Sequence, residues 1–221
     1  MDSHEDRGLR IKSAVLGAVG TNCYLVYNEK TKKAVIVDPA DNAPYIKSQC
    51  ISLGIEPEAI LLTHGHADHM LAADSLRKEY GIPLIAGEKE EKLLADPSMN
   101  LSLMIGGVQV GLKADKTVRE GDVLELIGFR FRVIGTPGHT SGSVCYWITE
   151  EDVLFAGDTL FEESFGRTDF PTGSMSSLCR SVIDKLFELP DTTMVYSGHG
   201  PATTIGHEKE YNPIYHYRRD L

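Results

Sequence analysis

The chain is short of positive charge. Of its 221 residues, 22 are Lys or Arg and 32 are Asp or Glu, a net charge of −10 at pH 7. The basic residues are scattered, so there is no basic stripe for a phosphate backbone to follow. The same deficit argues against an anionic membrane surface. Long apolar runs are also missing: none nears the ~20 residues needed to span a bilayer. The opening MDSHEDRGLRIKS has no apolar signal core, which argues against export. A cytoplasmic protein with neither nucleic acid nor membrane as partner is expected. Cysteine is sparse: Cys23, Cys50, Cys145 and Cys179 lie far apart and form no CxxC pair. Free buried thiols in a reducing compartment are the reading this favours. No GxSxG elbow is present, so no serine nucleophile announces itself. No low-complexity segment or Pro/Ser-rich linker divides the chain. One domain over 1–221 is therefore expected, with residues 1–8 a flexible leader in which His4 is solvated.

What is present is enough apolar residue, 42%, to build a full core. LRIKSAVL, NCYLVYNE and KAVIVDP read as short strands, with the polar turn NEKTKK between the last two. NAPYIKSQCISLG reads as a helix ending at Gly54. EAILLTH is a strand, MLAADSLRKEYG a helix over 70–81, IPLIAG a strand and EKEEKLLA a charged helix. Residues 97–113, rich in Met and Gly, predict a surface loop. Strands resume at DVLELIG, FRFRVIGTPG, SVCYWIT and DVLFAGD; a helix follows near SMSSLCRSVIDKLFEL, then TMVYSGHGP and a short tail. This α/β order suggests two sheets packed face to face with helices outside. The lone Trp147 is expected in the core, and Tyr211, Tyr215 and Tyr217 in the packing of the tail.

The chemistry-bearing residues stand at strand ends. ILLTHGHADHM is an apolar run that stops abruptly in His64, His66, Asp68 and His69. RVIGTPGHT ends at Gly138-His139, VLFAGDT at Gly157-Asp158 and MVYSGHG at Gly198-His199. Each of the last three is an apolar strand, a glycine that permits close approach, and one metal-type ligand. Five of the eight histidines lie in these places. Residues two apart share a face of an extended chain, so His64 and His66 can hold one metal together. A turn into the next helix sends Asp68 and His69 elsewhere, towards a second. Seven candidates exceed what one ion takes, and the two oxygens of Asp158 can join two ions. Imidazole with carboxylate suits zinc, with iron or manganese as alternatives. Structural zinc prefers closed cysteine-rich sites, whereas this carboxylate-containing set fits an open catalytic one. His207 and His216 are read as ordinary satisfied histidines. Asp38, in VIVDPA, is read as a group that orients a histidine from behind rather than as a ligand.

THGHADH, PGHTSGS, GDTLF and SGHGP resemble the successive motifs of the metallo-β-lactamase superfamily. The resemblance implies a four-layer αββα sandwich with two divalent metals, zinc first, at one edge. It implies His64, His66 and His139 on one metal, Asp68, His69 and His199 on the other, and Asp158 bridging them. Within the superfamily the chain resembles the glyoxalase II-like hydrolases, which cleave thioesters such as hydroxyacylglutathione. The common antibiotic-destroying β-lactamases place a cysteine where Asp158 stands, which disfavours a lactam substrate. Nuclease members carry an inserted domain or a basic surface that this chain lacks.

The reaction expected is attack on a carbonyl by water whose pKa the metals lower from ~15.7 towards ~7, with Asp68 orienting that water and taking its proton. SFGRTDFPTGS resembles the loop that in glyoxalase II contacts glutathione through a basic residue, and Arg167 stands there as the substrate contact. The bland alternative for Arg167 is an ion pair with Glu162, Glu163 or Asp169. Full glyoxalase II enzymes add a helical C-terminal domain; a short tail after His199 gives no such domain here, leaving the thiol carrier open. A persulfide dioxygenase using one iron, which shares the fold and the GRTDF stretch, is the first alternative, and a lactone hydrolase the second. The oligomeric state is not read from the sequence.

Overall fold

The structure is a computed structural model that describes residues 7–105 and 107–220. His4 and most of the expected leader lie outside the described residues. The chain opens with three strands, β1 (Leu9–Leu16), β2 (Thr21–Asn28) and β3 (Lys33–Val37), followed by helix α1 (Ala43–Leu53). Then come β4 (Glu56–Leu61), α2 (Ala73–Tyr80), β5 (Leu84–Gly87), α3 (Glu91–Ala95), α4 (Ser102–Ile105) and β6 (Lys116–Val118). The second half runs β7 (Val123–Leu126), β8 (Phe129–Gly135), β9 (Val144–Ile148), β10 (Val153–Gly157), β11 (Leu160–Phe161), β12 (Ser164–Phe165), α5 (Met175–Ile183), β13 (Met194–Ser197), β14 (Thr203–Thr204) and α6 (Ile205–Tyr211).

Two six-stranded sheets form, in the orders β1-β2-β3-β4-β5-β6 and β14-β13-β10-β9-β8-β7, with β11-β12 as a separate hairpin. Apolar residues fill three layers between and outside them. Tyr24, Val26, Val35, Val37 and Leu61 from the first sheet meet Phe129, Phe131, Val133, Tyr146 and Phe155 from the second. Their sequence neighbours Cys23, Leu25, Ile36 and Ile60 point the other way, onto Ile46, Cys50 and Leu76 of α1 and α2. Behind the second sheet, Cys145, Leu154 and Val195 pack on Leu178, Cys179 and Val182 of α5. Strands buried on both faces read as continuous apolar runs such as AVIV and AILL. Each fully buried Leu, Ile or Phe in them contributes about 1.5–3 kcal/mol. The expected αββα sandwich is the fold.

Strand direction explains the clustering of strand ends. β3, β4 and β5 are parallel. β10 is parallel to β13, and β8 shares that direction because both β8 and β10 are antiparallel to β9. The C-terminal ends of β3, β4, β8, β10 and β13 therefore open on one edge. β2 is antiparallel to β3, so its start, not its end, lies there. The sheets are stitched at this edge by backbone bonds: Val144 donates to Thr63 O at 2.9 Å and Asn22 to Gly198 O at 2.8 Å.

Several expectations need correction. The helix placed over 70–81 begins only at Ala73; a 3-10 turn over Ala67–His69 precedes it and delivers Asp68 and His69. The loop placed over 97–113 contains α4 and is pinned from inside by Asn100, whose amide donates to Val110 O at 2.7 Å. The segment read as a short tail folds into α6 and a 3-10 stretch over Pro213–Asp220. Within it Tyr217 meets Phe165 and Tyr215 meets Phe187. Trp147 is only half-buried, at the border of the layer behind the second sheet. The four cysteines are buried and unpaired, as expected. No helix among the described residues is long and apolar enough to cross a membrane.

Candidate metal centre

All seven predicted ligands converge on the sheet edge. Three groups among them bring one nitrogen or oxygen from each member within 4.8 Å of the others: His64, His66 and His139; His64, His69 and Asp158; and Asp68, His69 and His199. The first is all imidazole. His66 Nδ1 and His139 Nε2 face one another at 2.9 Å, and the ring centroids of His64 lie 4.8 and 4.7 Å from those two. In the last group Asp68 Oδ2 is 3.4 Å from His69 Nε2 and 3.3 Å from His199 Nε2. Asp158 lies between: its Oδ1 is 3.3 Å from His69, and its Oδ2 is 3.5 Å from His139 and 3.6 Å from His199.

Several of these side chains are aimed by a partner behind them. His139 donates Nδ1–H to the Arg167 carbonyl at 2.7 Å, leaving Nε2 with its lone pair. His64 Nδ1 pairs with Thr63 Oγ1 at 3.2 Å. His69 donates Nδ1–H to Asp38 Oδ2 at 3.0 Å, and Asp38 also accepts the Thr63 N–H and hydroxyl at 2.8 and 2.7 Å. The structure thus gives Asp38 the orienting place read from the sequence. Its backbone, at φ 48°, adopts a left-handed conformation that costs a non-glycine residue energy and recurs at functional sites. Thr21 donates to Asp68 Oδ2 at 2.8 Å. Asn22 and Tyr24 hold the loop of His199 through Ser197 O, at 2.9 and 2.5 Å. Gly198 must be glycine, because a Cβ there would come within 2.1 Å of Asp158 Oδ1.

Charge is distributed unevenly. Burial, then the neighbouring imidazoles His69, His139 and His66, push His64 well below its ordinary range. Burial and His139 lower His66 to about 3. Burial alone would lower His69 as well, but Asp68, Asp158 and Asp38 outweigh it and raise that group well above normal. His199 is raised in the same way, chiefly by Asp68. Burial would raise Asp68 and Asp158, but the charge of His69 and His199 nearby lowers both.

A metal fits this set on the structure's own terms. His64 Nε2, His66 Nε2, His69 Nε2 and Asp158 Oδ1 are buried without any hydrogen-bond partner. An unpaired buried polar atom costs about 1–3 kcal/mol, and three of these, His64 Nε2, His69 Nε2 and Asp158 Oδ1, belong to the cluster and mark donors waiting for a cation, while His66 turns its Nδ1 towards it. The ligands floor a cavity of about 410 Å³ whose walls are Val19, Leu101, Ile105, Phe161, Phe165 and Phe170, with Arg167 beside them. Arg167 pairs two-pronged with Asp169, at 2.6 Å for both contacts, and lies 4.0 Å over the Phe170 ring. Of the three acids named as ion-pair partners, Asp169 is the one engaged. Glu163 instead pairs with His207 at 3.2 Å, and His216 is exposed, both outside the site.

Residues 16–199 match the sequence profile of the Metallo-beta-lactamase superfamily. The chain belongs to that superfamily. Among members of the superfamily, hydroxyacylglutathione hydrolase GloC of Haemophilus influenzae is 34% identical over 208 residues, covering 93% of this chain and 98% of GloC. BLEG-1, described as a B3 metallo-beta-lactamase, superposes with a TM-score of 0.88 at 41% identity, over 92% of this chain and 98% of its own. TTHA1623, solved in a di-iron-bound form, superposes at 0.80 with 33% identity, over 91% and 98%. A metallohydrolase superfamily fold with a His/Asp cluster for divalent metal is established by these observations together.

Sequence reasoning missed the supports. Thr21, Asn22 and Tyr24 begin an apolar strand and carry no motif; their partners lie far along the chain, 175 residues away for Asn22 and Ser197. Glu90, buried beneath the loops of His64–His66 and His139, stands in a run, EKEEKLLA, that reads as a charged helix.

Proposed function

We propose that this chain is a binuclear metallohydrolase that cleaves thioesters of the hydroxyacylglutathione type, with zinc as the metal. The observation that carries this reading is the seat of Asp158, one oxygen 3.3 Å from His69 and the other 3.5 Å from His139. A carboxylate so placed serves two ions, and a single ion has no use for the seven groups around it. In this reading His64, His66 and His139 hold one ion, Asp68, His69 and His199 the other, and Asp158 both. Bound there, the ions supply Lewis acidity to a carbonyl oxygen and bring the pKa of water to about 7.

The chain's own groups supply the rest. Asp68 is kept ionised by His69 and His199 and held by the Thr21 hydroxyl; it orients the attacking water and accepts its proton. The phenylalanine and aliphatic walls take the apolar part of the substrate and restrict access of bulk water. Arg167, steadied by Asp169 and Phe170, offers its remaining donors to a substrate carboxylate. Likeness to GloC supports the thioester. The partner is a small molecule, and a single domain over 1–221 carries the whole site.

A second reading has its own support. Two of the three groups pair two imidazoles with one carboxylate, a donor set that suits non-haem iron; one iron and oxygen chemistry on a persulfide would follow. The sequence argument against lactams weakens, because a structure described as a B3 metallo-beta-lactamase is 41% identical. One experiment separates these readings. Protein purified without added metal is analysed for metal content, then assayed on lactoylglutathione, a cephalosporin and a lactone, and for oxygen uptake with glutathione persulfide. Two ions per chain and thioester cleavage at least about tenfold faster than either ring, ~1.4 kcal/mol, are expected. One iron per chain with oxygen consumption would replace the hydrolase reading, and faster lactam opening would replace the substrate.

A further inference from the structure

Glu90 follows β5 in a 3-10 turn, within the run EKEEKLLA, and is completely buried. It makes no ion pair among the described contacts. Its carboxylate instead accepts three donors from two separate loops. Oε2 takes the N–H of Gly65, the residue between His64 and His66, at 2.7 Å. Oε1 takes the Thr140 hydroxyl and the Gly142 N–H, both at 2.8 Å. Thr140 is the residue after His139. The fit is close: a Cβ on Gly142 would stand 2.6 Å from Glu90 Oε1 and 2.7 Å from its backbone nitrogen. Thr140 is further tied to Ser143 at 2.6 Å.

The three donors map onto one half of the metal centre. Gly65 fixes the turn that carries His64 and His66, and Thr140 with Gly142 fixes the turn that carries His139. The other half is braced elsewhere, by Asp38 on His69 and Thr21 on Asp68. A buried carboxylate is costly to retain as mere filling, and no apolar side chain could bond both loops. We propose that Glu90 is a positioning residue that sets the spacing between the His64–His66 turn and the His139 turn, and thereby the affinity of the all-histidine group for its metal. This rests on the reading of that group as a metal site.

The test uses the full chain with Glu90→Gln and, separately, Thr140→Val. Glutamine keeps the shape but turns one acceptor oxygen into a donor, so one loop must lose its anchor. Thr140→Val removes a single donor. Zinc is titrated into metal-free protein against a chromophoric chelator, and amide exchange is followed at Gly65 and Gly142 in the metal-free protein. Glu90→Gln should weaken one zinc equivalent about 10–100-fold, the usual range for groups that support ligands, and leave the other within about threefold. Thr140→Val should weaken the same equivalent less. At least one of the two amides should exchange about tenfold faster or more, a change of ~1.4 kcal/mol in local opening. A folded Glu90→Gln protein with two wild-type equivalents, or with both weakened equally, overturns the proposal. If Glu90→Gln does not fold, Thr140→Val carries the same prediction at smaller size. A wild-type chain that takes up no zinc sinks the metal reading, and the role claimed here with it; the amide exchange then reports only whether Glu90 joins the loops.

Discussion

The two halves of the metal centre are built from opposite electrostatics. The His64–His66–His139 half contains no carboxylate of its own, and burial together with mutual imidazole repulsion holds His64 and His66 below their ordinary range. The His64 and His66 rings are therefore held neutral, with lone pairs ready. The Asp68–His69–His199 half gathers Asp68, Asp158 and Asp38 around two histidines and raises both. Without an ion, the carboxylates of that half favour protons on its histidines. An incoming metal meets an open seat in one half and must displace protons in the other. The supports differ accordingly: uncharged hydroxyl and carbonyl partners aim the all-histidine half, with Glu90 tying its loops, while a carboxylate aims His69.

The largest effect is expected from removing the group the halves share. Asp158→Ala should cost both metal content and activity, at least about a hundredfold in kcat, ~2.7 kcal/mol, while the apolar layers stay folded because Asp158 is not part of them. Metal analysis and a thermal melt on the same sample check this. Two ions retained with full activity would erase the distinction between shared and separate ligands.

Asp38→Asn should act on one half only. With its one oxygen kept on the Thr63 N–H, the asparagine turns its NH2 towards the Thr63 hydroxyl, which can accept from it, and towards His69 Nδ1, which loses its acceptor, so the metal of the Asp68–His69–His199 group should weaken about 10–100-fold. Competition titration against a chelator reads this directly. Equal weakening of both equivalents would show that the halves are not independently braced.

Acid should strip the halves in order. A group raised above its ordinary value takes up protons earlier as pH falls, so acid competes with metal first at His69 and His199. A group lowered to about 3, as His66 is, resists until the solution is far more acid. Dialysis at stepped pH followed by metal analysis should therefore show the chain passing through a one-metal state. Loss of both ions in a single step would contradict the assignment.

The smallest effect is expected at Arg167. Its pair with Asp169 is solvent-exposed, so Arg167→Ala should leave the melting temperature nearly unchanged. Steady-state kinetics on a glutathione thioester should show KM raised several-fold with kcat nearly constant, the pattern of lost uniform binding. An unaltered KM would return Arg167 to a structural role through its backbone carbonyl on His139.

The convergence of the seven His and Asp side chains was legible because HxHxDH and three strand ends with glycine before a His or Asp leave little else for those residues to do. The long apolar strands were legible because burial on both faces writes continuous runs such as AVIV. What was hidden had short or distant causes. β6, β11 and β12 have two or three residues each, too few for a period to show. The helix expected at Met70 starts later because Ala67–His69 is spent on a tight turn that presents ligands. Glu90 was invisible because Glu88, Lys89, Glu91 and Lys92 around it spell a solvated face, while its partners Gly65 and Gly142 lie 25 and 52 residues away.

Zinc titration of metal-free protein by calorimetry, repeated at pH 7 in buffers of different ionisation enthalpy, tests the unlike halves most directly. Two binding events per chain are predicted, one releasing almost no protons and one releasing those held by His69 and His199. One event with one ion, or two events releasing equal numbers of protons, would contradict it.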